Sequence, residues 1–173
     1  MSKVKFIHQL VHATIEKYGT RDPFEICRCM GIRIHHKDLG LTLKAFYFYQ
    51  SRIKNIVINS SADQVLHPVL CAHELGHALL HEKPAMLRGF QELNLFGSLS
   101  PAEYEANLFA ADLIIPDEAL LELLHDPDKS IFTIASELYV PVELLDFKFR
   151  VLEAKGLAVK APWLAQGNFL KNI

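Results

Sequence analysis

Residues 73–77 read His73-Glu74-Leu75-Gly76-His77, inside an apolar run over residues 65–80. No other five residues constrain the fold as tightly. Two histidines four apart meet only on a helix, because an α-helix turns once per about 3.6 residues and stacks positions i and i+4 on one face. Two imidazoles so placed can share one zinc ion. Glu74 lies about 100° around the helix from His73, where it can reach water at the ion without being a ligand. That is the position of a general base. Gly76 costs about 1 kcal/mol relative to alanine in a helix interior, and close approach of another backbone, or of substrate, is the expected reason for it.

Catalytic zinc sites commonly take three protein ligands and keep one position for water, so a third ligand is expected downstream. The segment beginning at Ser100 has helical apolar spacing at Leu108, Phe109, Leu113 and Ile114 and supplies two carboxylates, Glu103 and Glu105. Ser100-Pro101-Ala102-Glu103 is also a capping box with proline at the first helical position, a competing use for Glu103. Asn107 argues for Glu103 as the ligand. A metal-binding histidine usually donates its second ring N–H to an oxygen, and Asn107, four residues after Glu103, would offer one on the same face. The equivalent position from Glu105 is Phe109, which cannot accept that bond. Glu105 stays open as the alternative ligand, with a flank of the helix as its expected place.

The word His73-Glu74-Leu75-Gly76-His77-Ala78-Leu79-Leu80-His81, followed by Glu103, Ala106-Asn107, Phe109-Ala110-Ala111 and Leu113-Ile114-Ile115-Pro116, resembles the ImmA/IrrE family of metallopeptidases. The resemblance implies a small cytoplasmic zinc endopeptidase of the zincin type, with two histidine ligands, one glutamate ligand and one glutamate base. It further implies a protein substrate: members of this family typically stand beside helix-turn-helix repressors in mobile elements or stress circuits and inactivate them by cleavage.

A length of 173 residues with 50% hydrophobic and 22% charged residues suits one globular domain and excludes a disordered adaptor. Within the single metallopeptidase domain 1–173, the expected parts are N-terminal helices and a small sheet (1–61), metal-site helices (62–125) and a helical C-terminal part (126–173). A net charge of −2 without a basic cluster gives little basis for binding a phosphate backbone. No apolar window is long enough to span a membrane, and Met1-Ser2-Lys3-Val4-Lys5 leads into an amphipathic helix rather than a signal-peptide core; a cytoplasmic location is expected. Cys27, Cys29 and Cys71 form no disulfide framework. Cys71, two residues before His73, faces nearly the opposite side of a helix and reads as core.

The expected fold is α+β, a small antiparallel or mixed three-stranded sheet packed on a mainly helical, zincin-like domain. Apolar spacing predicts a helix over 3–18, and Asp22-Pro23-Phe24-Glu25 caps a second that stops at Gly31. Strands are predicted at 32–34, 43–49 and 55–59, then helices at 62–81, 100–115, 116–125, 131–139 and 142–154. Asn55, Ile56, Val57, Ile58 and Asn59 lead most directly to the motif helix, so they are the candidate edge strand for binding an extended substrate, with an ordinary interior strand as the competing reading. The connection 82–99 is too apolar for a fully solvated loop and is a candidate cover for the cleft or a partner-holding segment. His81 lies about 12 Å along the helix axis from His73, too far to join the same ion, and reads as a surface residue or as support behind a ligand. His8, His12, His35, His36 and His125 read as surface or helix residues, and Tyr47, Tyr49, Tyr139 and His67 are open as oxyanion donors. Residues 133–149 resemble a helix-turn-helix, but the would-be reading helix offers acidic and apolar side chains where base edges demand Arg, Lys, Asn or Gln, which favours packing.

The mechanism these readings give has one Zn2+ per chain on His73, His77 and Glu103, Asn107 behind a ligand, and Glu74 moving the proton of the attacking water to the leaving amine. Manganese or iron can occupy the same donor set. The alternative is a regulatory module that keeps the metal and controls a repressor by association alone.

Overall fold

The computed structural model describes residues 2–81 and 100–159; the 82–99 connection and the tail from residue 160 lie outside the described residues. Helices α1 (Lys3–Tyr18) and α2 (Pro23–Cys29) come first, followed by strands β1 (Arg33–Lys37), β2 (Ala45–Gln50) and β3 (Ile53–Asn59). A 3-10 turn (Gln64–Leu66) leads into α3 (His67–Leu80). Then come α4 (Pro101–Ile114), α5 (Asp117–Leu124), α6 (Ile131–Glu137) and α7 (Val142–Ala154). The fold is α+β, with a small mixed sheet.

The boundaries follow local chemistry. Ser2, Asp22, Ser100 and Ser130 each accept a backbone N–H at the start of a helix, satisfying donors that the first turn leaves over. At the other end of α1, Gly19 takes a left-handed φ of 70° and its N–H returns to the Ile15 carbonyl. The motif helix starts at His67 rather than at the expected residue 62. Pro68 explains the shift: it fits the first turn, where its missing N–H costs nothing, while Asp63 caps the short 3-10 turn before it by accepting from the Val65 N–H.

The sheet has the order β1-β3-β2. β1 runs parallel to β3, from Arg33 opposite Asn55 to Lys37 opposite Asn59. β2 runs antiparallel to it, from Ala45 opposite Ile58 to Gln50 opposite Ile53. Ser51 and Arg52, at φ 51° and 63°, turn the β2–β3 hairpin with the two left-handed residues that a type I′ turn requires.

This order corrects the expectation for Asn55, Ile56, Val57, Ile58 and Asn59: β3 is the interior strand, paired on both sides. A third strand has no row of free backbone groups to add to there. The two asparagines have structural tasks. Asn59 donates through Nδ2 to the carbonyls of Gly40 and Leu43 and accepts at Oδ1 from the Leu39 and Ser61 N–H groups, which pins the connection between β1 and β2. Asn55 bonds His35 across to β1 and the Ile53 carbonyl within its own strand. Proximity in sequence to the motif helix made β3 the candidate, but the parallel return of β1 places it at the centre.

The core runs from the sheet, through Ile56 and Ile58, across α3 and α4 to α7, with Leu70, Leu75, Leu108, Phe109, Leu113, Phe147 and Leu152 all buried. α4 is the hub and packs on α1, α3 and α7. α7, the reading helix of the helix-turn-helix resemblance, is buried at Leu144, Leu145, Asp146, Phe147, Lys148, Phe149, Val151 and Leu152; it is a core helix. Among the described residues, no helix is long and apolar enough to cross a membrane.

Candidate metal centre

α3 and α4 meet at Gly76. A Cβ placed there would stand 3.2 Å from the Ala106 Cα, 3.2 Å from the Phe109 Cβ and 3.3 Å from the Ala106 carbonyl oxygen, so the glycine lets the two helices approach to backbone contact. The close approach expected at this position is that of α4.

This contact brings Glu103, near the start of α4, over the face of α3 that carries both histidines. His73 Nε2 lies 3.3 Å from Glu103 Oε2, and His77 Nε2 lies 3.5 Å from Oε1. The two imidazole Nε2 atoms are 3.1 Å apart. One ligand atom from each of His73, His77 and Glu103 falls within 4.8 Å of the others, close enough for one ion to be shared. Two imidazole nitrogens and a carboxylate, converging from two buried helix faces, fit the donor set that divalent zinc prefers.

The cap and a ligand role for Glu103 would not compete for the same atoms. Ser100 Oγ accepts from the Glu103 N–H at 3.2 Å, a bond to the backbone that leaves the Glu103 carboxylate facing the imidazoles. Glu105 occupies the flank: its two oxygens meet His81 Nε2 and Lys3 Nζ, each at 3.2 Å. Asn107 stands where the spacing predicts, accepting at Oδ1 from His73 Nδ1–H at 2.8 Å. That bond fixes the tautomer with Nε2 turned toward Glu103.

The cluster is coupled electrostatically. Burial lowers the pKa of His73, but the hydrogen bond and charge of Glu103, the charge of Glu74 and the bond to Asn107 outweigh it and raise the group above the ordinary histidine value. Burial also lowers His77, and with the charges of His73 and His81 it prevails over Glu103, pushing His77 down to about 4. For Glu103, burial acts upward, yet the bonds and charges of His73 and His77 hold its carboxyl well below the usual carboxylate range. The carboxylate is therefore ionised, and one of the two imidazoles is a ready neutral donor. Glu74 is 6% exposed and acts on His73 through its charge.

The remaining candidates have other partners. Cys71 is buried beside Cys27, with Sγ atoms 4.0 Å apart; that contact and burial push its thiol up, and it belongs to the core. His8 pairs with Asp112, His12 with Glu16, His36 stacks on His67, and His125 donates to the Leu121 carbonyl. Of the two readings the sequence left open for His81, the structure gives contact with a histidine of the cluster, a bond between His77 Nδ1 and His81 Nδ1 at 3.0 Å. The i, i+4 series His73, His77, His81 contained that signal, but the partnership of His81 with Glu105 needed the packing of α4.

Comparison with known proteins identifies the family. The Peptidase_M78 family, described as the IrrE N-terminal-like domain, matches residues 27–150. A protein of Bacillus phage phi105, "Uncharacterized immunity region protein 2", is 36% identical over 142 residues, covering 82% of this chain and 88% of the relative. "Metallopeptidase ImmA" of Bacillus subtilis (strain 168) is 31% identical over 146 residues, covering 83% of this chain and 84% of that one. With a His-His-Glu cluster on helices α3 and α4, and a match that covers most of its length, this chain belongs to the ImmA/IrrE family of metallopeptidases.

Proposed function

We propose that the chain is a zinc-dependent endopeptidase acting in the cytoplasm on a helix-turn-helix repressor, with His73, His77 and Glu103 as metal ligands and Glu74 as general base. The observation that carries this reading is the convergence of three ligand atoms beside a buried carboxylate one position along the same helix. When bound, a divalent ion would polarise the scissile carbonyl and acidify the attacking water. Glu74 takes the proton of that water and delivers it to the leaving amine, a task suited to a carboxylate shielded from bulk solvent. Asn107 keeps the His73 ring in its working tautomer, and Glu103 supplies negative charge that offsets part of the ion's own.

Extended substrate would add to an edge of the sheet; of its two edge strands, β1 and β2, the one that packs against α3 is β2. The repressor as substrate is supported by the family and by the immunity-region name of the phage relative. Co-expression with any helix-turn-helix repressor encoded beside this chain, followed by intact-mass measurement, tests the proposal. Discrete repressor fragments are expected with the unaltered chain and none with Glu74→Gln. An intact repressor in both, held in a stoichiometric complex, would instead favour control by association.

A further inference from the structure

His81 and Glu105 form a structure of their own behind the second histidine, and resting on the proposed ligand set we infer that they are positioning residues that hold His77 ready for metal. The contacts run in one line: His77 Nδ1 to His81 Nδ1 at 3.0 Å, and His81 Nε2 to Glu105 Oε2 at 3.2 Å. Glu105 is steadied in turn by Lys3 from the first turn of α1. The side chains of His81 and Glu105 are 15% and 13% exposed, so water competes weakly for these bonds.

Proton counting gives the line a direction. His77 turns Nε2 toward His73 and Glu103, so as a ligand it must have a bare Nε2 and carry its proton on Nδ1. Nδ1–H then donates to His81 Nδ1, which must be bare. In that ligand state His81 carries its proton on Nε2 and donates it to the Glu105 carboxylate, whatever charge it bears before an ion binds. Reversing every bond would place a proton on His77 Nε2, pointing into the cluster, and would set a bare His81 nitrogen against a carboxylate. Glu105 thus selects the tautomer of His81, and His81 selects that of His77.

His73 receives the same service from Asn107 in a single step. His77 lies one turn further along α3, and beside it the helix ends: His81 is the C-cap, at φ −125° and ψ 27°. Leaving the helical path lets the His81 side chain fold back on His77, with ring centroids 5.1 Å apart. Glu105, two residues after Glu103, points to the other side of the α4 contact, so one helix supplies both a ligand and the anchor of the other ligand's support.

The test is zinc affinity, measured by competition with a chromogenic chelator, for the unaltered chain and for His77→Ala, His81→Ala, Glu105→Ala, Glu105→Gln and the His81→Ala/Glu105→Ala pair. Loss of an outer partner of a metal ligand typically weakens affinity by about 10–100-fold, and His81→Ala should fall in that range, with Glu105→Ala weaker by at least several-fold. The double variant should match His81→Ala, because Glu105 acts only through His81, whereas independent structural effects would multiply. Glu105→Gln keeps an acceptor for His81 and should recover most of the loss. Glu105 lies on α4 and not at the end of α3, so its variants test the inference even where His81→Ala disturbs that end. Affinity unchanged in His81→Ala and Glu105→Ala but lost in His77→Ala overturns this inference alone, as do losses that multiply in the double variant. Affinity unaffected by His77→Ala overturns the ligand assignment and this inference with it.

Discussion

His73 and His77 are one turn apart on the same helix, yet their environments drive their proton affinities in opposite directions. His73 has Glu103, Glu74 and Asn107 favouring its charged form, and these prevail over burial. His77, facing two imidazoles, is held neutral down to about pH 4. A metal ion competes with protons for the same lone pairs, so the sign follows. At pH values below the raised pKa of His73, ion binding must displace about one proton, and affinity should climb roughly tenfold per pH unit. Above that pKa the affinity should level off, since His77 is already neutral and Glu103 already ionised. Zinc titration between pH 5.5 and 8.5 checks this, and a flat profile across the whole range would contradict it. At this scale much was legible in advance: helical geometry alone places His73, Glu74 and His77, and the i, i+4 step from Glu103 to Asn107 anticipates the bond to His73. Which of Glu103 and Glu105 faces His73 and His77 depends on the α3–α4 packing.

Gly76 shows how an element-level contact sets residue-level geometry. Replacing it with alanine should gain about 1 kcal/mol of helix propensity, but the new Cβ would meet backbone and Cβ atoms of α4 at 3.2–3.3 Å, which cannot swing aside as the end of a flexible side chain can. Overpacking of this kind costs about 1–3 kcal/mol. Gly76→Ala is therefore expected to lower stability by about 1 kcal/mol net, and Gly76→Val by more, as measured by urea unfolding. Both should weaken zinc binding by moving Glu103 away from the histidines. An alanine variant more stable than the parent would mean that the helices do not approach as closely as described. Helix limits were well anticipated where caps exist, α1 matching its predicted span. The sheet was anticipated in its strands and not in their order, because strand pairing is decided by the parallel return of β1, which leaves no local mark in the sequence.

Across the molecule, the metal cluster and a buried ion network hold α4 at its two ends. Near its start, Glu103 faces α3. Near its end, Asp112 takes Lys148 of α7 at 2.7 Å and His8 of α1 at 2.7 Å, and Arg21 donates to the Asp112 and Leu113 carbonyls. Lys148 is fully buried and also reaches Asp117 at 2.6 Å, so its charge is matched by carboxylates, as a buried ammonium requires. Nothing local in the sequence marks Lys148 as buried, since its partners lie more than thirty residues away. α4 is thus tied to α1, α3 and α7 through charged groups near both of its ends, the kind of support by which a scaffold keeps a site's geometry accurate.

The most direct measurement is native mass spectrometry of the purified chain with added zinc, beside Glu74→Gln, His73→Ala, His77→Ala and Glu103→Ala. The account predicts one ion per chain in the parent and in Glu74→Gln, and loss of that ion in each of the three ligand variants. Loss of the ion in Glu74→Gln, or its retention in His77→Ala, would contradict the assignment of two histidines and Glu103 as ligands with Glu74 as the base.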